Sequence, residues 1–273
     1  MGHTRLGSIP KSQKWTAVIA QLAGTAVPAG AVSTVIQIDI ADLVAEVANR
    51  TLDAASGGLK SALDDPGLVY TFFTLTQLAL ASRSDDWRSR LENVGIHLDE
   101  DATIFDLTVE IQTAIDGFLL RRGHSSDFSE MAQRAAGEAV SALVGPTSTT
   151  LFGAGREELL AAVRSLSTKN GFGILGQRFF GRFMAHFLNF YLSRVTASYL
   201  GEGYLQQVGD ISRFNKALRE HCDQSARIVR DFCAGWYSKT EYETGISLEN
   251  SARLVAVALE KLRSELQQQR KEQ

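Results

Sequence analysis

The sequence predicts an all-α protein, an irregular bundle of about ten helices around a central aromatic-rich helix at residues 172–200. Apolar residues recur three and four positions apart from Ser12 to Leu266, which is the spacing of amphipathic helices. Alternation of the kind that marks a strand is confined to Thr34–Ile40. The 273 residues are 44% hydrophobic and 22% charged, a normal globular composition.

In the first half of the chain, the periodicity predicts helices over residues 12–22, 32–63, 67–82, 85–93, 104–120 and 128–144. The long second helix has a candidate break at Gly57–Gly58, since glycine is a poor helix former. Pro66 suits the first turn of the helix that it opens. Asp127 with Glu130 resembles a capping box at the start of the last of these helices.

In the second half, the same spacing predicts helices over residues 156–166, 172–200 and 211–237, and a final helix capped by Ser247. Asn170–Gly171 is expected to form a turn before the aromatic helix. Cys222 and Cys233 fall eleven residues apart in one predicted helix, about 16 Å along its axis, so they cannot pair there.

We expect a single all-α domain over residues 1–273, or two lobes joined by the loop at 146–155. Residues 1–150 carry a net charge of −7 and residues 151–273 a net charge of +4, so the lobes would be acidic and basic. Such asymmetry fits either attraction between the two halves or a basic binding face.

The chain is expected to be cytoplasmic and bacterial. Its N-terminus lacks the apolar core of a signal peptide, and two cysteines that are not paired suit a reducing compartment. Trp15–Ile38 and Pro66–Ser82 are free of charge, but they are broken by glycine and proline or are short and rich in threonine. We therefore expect no stable membrane span.

Leu159–Gly201 contains no acidic residue, although it holds five basic residues and many aromatic ones. Within it a narrow polar stripe recurs at helical spacing, formed by Arg178, Arg182, His186, Asn189 and Ser193. One interpretation is an internal polar seam, in which Arg178 and Arg182 pair with carboxylates from residues 39–53 or 106–116. The other is a cationic groove for an anionic ligand.

Gly171–Gly176 spells GxGxxG, but a helix precedes it and the required acidic residue is missing, so a dinucleotide site is rejected. Lys169 and the free N–H groups of the following helix start remain a candidate anion site. With the stripe, this gives five candidate anion- or ligand-binding residues, namely Lys169, Arg178, Arg182, His186 and Arg194.

The five histidines are scattered and show no metal-ligand spacing, and no nucleophile or phosphate-loop motif occurs. We expect no cofactor, no metal and no catalytic residue that can be named. A second aromatic cluster, Gly235–Tyr242, is expected in a connection between helices. Its Trp236, Tyr237 and Tyr242 are candidate interface residues or caps over the core.

The sequence therefore favours a non-enzymatic binding or assembly subunit that contacts another protein subunit, as one component of a bacterial multi-protein system. One alternative is an anionic-ligand or nucleic-acid-binding subunit that uses the basic segment at 159–201, although no nucleic-acid motif occurs. Others are a membrane-active effector that exposes the aromatic helix, and an enzyme of unrecognised type.

Overall fold

A computed structural model describes residues 12–24, 40–145, 156–198, 200–201 and 204–268. These residues form α-helices and contain no β-strand, which confirms the predicted all-α class. None of the helices within these ranges is both long and apolar enough to cross a membrane. The predicted loop at 146–155, and residues 34–39 of the segment that alternates like a strand, lie outside the described residues.

The helices of the first half follow the predicted pattern closely. They are α1 Gln13–Leu22, α2 Ile40–Ala54, α3 Ser56–Leu63, α4 Pro66–Ala81, α5 Trp87–Glu92, α6 Ile104–Arg122 and α7 Asp127–Val144. The break after α2 falls at Ala55, near Gly57–Gly58 as predicted, while the two glycines themselves lie inside α3.

The second half holds α8 Arg156–Leu166, α9 Lys169–Ser198, α10 Val208–Ser225, α11 Arg227–Glu243 and α12 Leu248–Gln268. The predicted helix over 211–237 is two helices, because the backbone turns at Ala226, where ψ is −4°. Cys222 and Cys233 therefore lie on different helices, and both are buried free thiols. No glycine or proline lies at the Ala226 break, so no residue type marks it.

Side chains cap several of the helix starts. Ser12 accepts a hydrogen bond from the Trp15 N–H at the start of α1, and Thr103 forms a capping box with Asp106 at the start of α6. The cap of α7 is Ser126, which accepts from the Ser129 N–H, so the predicted capping box of Asp127 with Glu130 was wrong.

Asp65 joins the starts of α4 and α7. Its carboxylate is buried, accepts from the Leu68 N–H, and also accepts from the hydroxyls of Ser126 and Ser129. His124 Nε2 lies 3.1 Å from the same carboxylate. Because a buried carboxylate needs several donors, this arrangement fixes the two helices relative to each other.

The aromatic helix α9 lies at the centre, as predicted, and packs against α11, α7, α10, α8 and α2. The side chains of Phe179, Phe180, Phe183 and Phe187 are all fully buried. The Phe72 ring of α4 contacts three rings of α9, those of Phe172, Phe179 and Phe180. Burial of this many large rings supplies much of the hydrophobic stabilisation of the core.

The glycines of the GxGxxG pattern lie within α9, where they let α11 approach. A Cβ built on Gly176 would lie 2.8 Å from the Cβ of Cys233, and one on Gly173 would lie 2.8 Å from the Arg230 carbonyl oxygen. Asn170 and Gly171 belong to the first turn of α9, so the predicted turn at these residues was wrong. The pattern serves close packing of two helices.

Candidate functional site

The polar stripe of α9 faces the junction between α7 and α10. Arg178, Arg182 and His186 lie one turn apart on α9 and meet one carboxylate from each neighbouring helix, Glu138 of α7 and Asp223 of α10. We call these five residues the polar cluster. The structure thus brings together three of the five candidate anion-binding residues.

Arg182 bridges the two carboxylates. Its Nε lies 3.6 Å from Glu138 Oε2 and its Nη2 lies 3.3 Å from Asp223 Oδ2. The side chain is only 17% exposed, so its charge is largely removed from water and needs these partners. The guanidinium of this single residue therefore links α9 to both α7 and α10.

Arg178 and His186, one turn before and one turn after Arg182, complete the cluster. Arg178 Nη1 donates to Asp223 Oδ2 at 3.1 Å, and His186 Nε2 lies 3.0 Å from Glu138 Oε1. The hydrogen bond from His186 is the largest cause that holds the pKa of Glu138 below its usual value. Glu138 is therefore ionised and accepts the Nε2 proton of His186.

The pKa of Asp223 is shifted in the opposite direction from that of Glu138. Burial raises the pKa of its carboxyl, and the charges of Arg182 and Arg178 only partly oppose that rise. Its side chain is 14% exposed against 35% for Glu138, which accounts for the stronger effect of burial. Its second oxygen, Oδ1, is buried without a hydrogen-bond partner among the described residues.

The predicted partners of the arginines were wrong. Within the ranges 39–53 and 106–116, Glu46 pairs with Arg50 of its own helix, Asp106 caps α6, and Glu110 accepts from the His97 N–H at 3.1 Å. The physical reason is that α7 and α10, rather than α6, lie against the stripe. An acidic residue amid the buried alanines of α7, as Glu138 is, was the signal in the sequence.

The remaining candidate anion-binding residues lie apart from the cluster. Lys169 is the exposed first residue of α9, about 14 Å along the helix axis from Arg178. At that helix start the Thr168 hydroxyl already accepts from the Gly171 N–H at 2.9 Å. Arg194 belongs to α9, but its side chain lies outside the described part of the chain.

The candidate interface residues lie within α11, so the connection between helices predicted there was wrong. The Tyr237 ring is fully buried and stacks on the Phe172 ring at 4.0 Å. Trp236 is partly buried and its ring lies 5.9 Å from that of Phe72. Of the three side chains, only Tyr242, which is 91% exposed, is freely accessible to a partner.

A second feature, which the sequence analysis missed, is an open groove at the start of α6. Its volume is about 390 Å³, and four carboxylates line it together with His97 and Val109, namely those of Asp99, Asp101, Asp106 and Glu110. None of its described lining residues is lysine or arginine. The groove is therefore strongly negative.

Apolar side chains border this acidic groove. Val109 is 39% exposed and Phe105, one helical turn before it on the same face, is 73% exposed. Asp106, held by the Thr103 hydroxyl and N–H, has a pKa below its usual value, so it stays charged at neutral pH. The exposed ring of Phe105 thus adjoins, in the chain, a carboxylate that is fixed by hydrogen bonds.

Comparison with protein families, with curated proteins and with solved structures finds no match for this chain.

Proposed function

We propose that this protein is a non-enzymatic binding or assembly subunit that docks a basic, amphipathic segment of another protein on the acidic groove of α6. The single observation that carries the proposal is the groove itself, which is lined by four carboxylates and by Val109, with the exposed Phe105 one helical turn before Val109 on α6. Lysine and arginine of the partner would face the carboxylates, and an apolar side chain would cover Phe105.

The shape of the groove supports a peptide-like occupant. Asp106 and Glu110 are one turn apart on α6, while Asp99 and Asp101 come from the loop that precedes it. The carboxylates thus come from a helix and from the loop before it, and Phe105 and Val109 follow one face of the same helix. Such a surface favours a helix or extended segment that has basic residues on one side and an apolar residue on the other.

The arginines of the stripe support this choice over a nucleic-acid surface. Arg178 and Arg182 are engaged by Asp223 and Glu138, and the rings of Phe179 and Phe183 are buried. Stacking on bases needs exposed rings, so α9 would have to leave the core first. The same opening would be needed for a membrane-active effector. The buried free thiols of Cys222 and Cys233 suit action in the cytoplasm.

A displayed library of amphipathic peptides, in which the basic content varies, tests the proposal with the full chain as bait. We expect selection of peptides with several lysines or arginines and one large apolar residue. Binding should fall in the variant Phe105→Ser/Val109→Ser and weaken as salt concentration rises.

The matched control is Leu120→Ser, which removes another exposed apolar side chain, 81% exposed, near the far end of α6. It should leave the selected peptides bound. Peptides that bind wild type and the Phe105→Ser/Val109→Ser variant equally well would contradict the proposal.

A further inference from the structure

A small pocket opens beside the polar cluster, between α9 and α10. Its volume is about 30 Å³, two to three times the about 10–15 Å³ that one water needs. Its polar lining consists of Arg182, His186 and Asn189 from α9, Asn215 and Arg219 from α10, and Glu138 from α7. A group of two or three heavy atoms fits such a space.

Several donors at this pocket have no hydrogen-bond partner among the residues that the structure describes. Arg182 Nη1 is buried without a hydrogen bond to any described residue, although Nε and Nη2 are paired. The half-buried amides of Asn189 and Asn215 likewise show no hydrogen bond within the described ranges. A buried donor such as Arg182 Nη1 normally meets a partner, and the two amides are partly open to solvent, so the pocket has donors free to meet an acceptor.

The charged groups around the pocket indicate which kind of hydrogen-bond acceptor would bind there. Three guanidinium groups, those of Arg178, Arg182 and Arg219, face two carboxylates, Glu138 and Asp223. Glu138 borders the pocket, but its Oε1 is held by His186 and its Oε2 by Arg182. The formal charge of these five groups is therefore +1, with Arg219 exposed to solvent, which favours an anion over a cation as the acceptor.

We propose that this pocket binds one carboxylate-sized monoanion, which accepts hydrogen bonds from Arg182 and from the amides of Asn189 and Asn215. The negative group comes either from a free small anion or from an acidic side chain presented by another molecule. Both sources have the same chemistry at the pocket. This pocket lies on a different part of the molecule from the acidic groove, so the two proposals can be tested independently of each other.

The test is a titration of the full chain with sodium formate, followed by the NMR signals of the side-chain amides. Sodium sulfate, whose dianion is larger than the pocket, keeps the ionic strength constant. The signals of Asn189 and Asn215 are assigned by their loss in single alanine variants. We expect saturable shifts of both signals. A second arm replaces formate with acetyl-aspartyl-amide, which carries the same group on an amino-acid backbone.

The double variant Asn189→Ala/Asn215→Ala should bind formate at least about tenfold more weakly, because a charged acceptor loses two donors. It should keep its melting temperature, since neither amide belongs to the ion pairs of the polar cluster. Asn93→Ala, at an exposed helix end, is the control and should bind normally.

Binding of formate assigns the site to a free anion, and binding of acetyl-aspartyl-amide alone assigns it to an acidic side chain of a partner. Either result supports the proposal if the double variant no longer binds the same compound. Shifts that do not saturate with either compound, or binding that the double variant retains, would overturn it.

Discussion

Arg182 of α9 and Asp223 of α10 lie 3.3 Å apart, and both side chains are less than a fifth exposed. Beneath them Gly181 has no side chain, and a Cβ built there would lie 2.8 Å from Asp223 Oδ1. The ion pair therefore exists because a glycine beside the arginine lets α10 approach α9. The close approach of α9 and α10 and the pairing of Arg182 with Asp223 therefore depend on the same glycine.

Replacement of Arg182 by methionine should destabilise the fold, because Glu138 and Asp223 would remain in the cluster with less opposing charge. We expect a loss of about 2–3 kcal/mol, below the about 3–5 kcal/mol of a fully buried pair, since Glu138 is partly exposed. Urea unfolding measures it. The control Arg213→Met breaks a pair with Asp210 at a 72% exposed side chain and should cost less than about 1 kcal/mol.

A double-mutant cycle locates the partner of Arg182. Coupling between Arg182 and Asp223 should reach about 1–3 kcal/mol, whereas Arg182 and Glu110 should show almost none. Glu110 accepts instead from the His97 N–H on another face of the molecule. The opposite ranking of the two couplings would contradict the described pairing.

Phe183 and Phe187 should each contribute strongly to stability, because both rings are fully buried in the core. Their replacement by alanine should lower the free energy of unfolding by about 3–5 kcal/mol. The matched substitution Phe105→Ala removes a ring that is 73% exposed and should change it by less than about 0.5 kcal/mol. Equal effects at buried and exposed rings would contradict the core assignment.

Gly176→Ala should destabilise the protein although alanine is the better helix former. Its Cβ would lie 2.7 Å from the Sγ and 2.8 Å from the Cβ of Cys233, so α9 and α11 would have to separate. Overpacking of about 1–3 kcal/mol outweighs the gain in helix propensity of about 1 kcal/mol. At Gly235 on α11 an added Cβ would meet no other described part of the chain within 4 Å, so Gly235→Ala should instead raise the melting temperature.

His221 should make stability depend on pH as the pH falls below about 6.5, the ordinary pKa of histidine. Burial lowers the pKa of its imidazole, and its Nε2 is buried without a partner in the described part of the chain. As pH falls below the ordinary histidine pKa, the unfolded chain takes up a proton that the folded protein resists, so stability decreases. In His221→Gln this decrease should be smaller; an unchanged slope in chemical unfolding would contradict the assignment.

The helices of this fold are largely readable from the sequence, because apolar spacing and caps such as Ser12 are local signals. The turn at Ala226 was missed because no glycine or proline marks it. The polar stripe was found because Arg178, Arg182 and His186 repeat on one face of one helix. Its partners, Glu138 and Asp223, depend on which helices pack against that face, which periodicity alone does not determine.

The acidic groove escaped the sequence analysis for a related reason. Asp106 and Glu110 were interpreted as partners of the arginines, since buried positive charge needs a carboxylate. Once α7 and α10 supply those carboxylates, Asp106 and Glu110 of α6 are free to make local hydrogen bonds and to line the groove. Asp99 and Asp101 lie in the same groove as Asp106 and Glu110 because of the path of the loop that precedes α6, which the sequence pattern does not determine.

Amide hydrogen exchange of the full chain, with and without a selected basic amphipathic peptide, tests the central claim most directly. Our account predicts slower exchange at residues 97–110, around Phe105 and the groove carboxylates, and unchanged exchange near Tyr242 of α11. Protection at Tyr242 or at the start of α9, with none at 97–110, would contradict it.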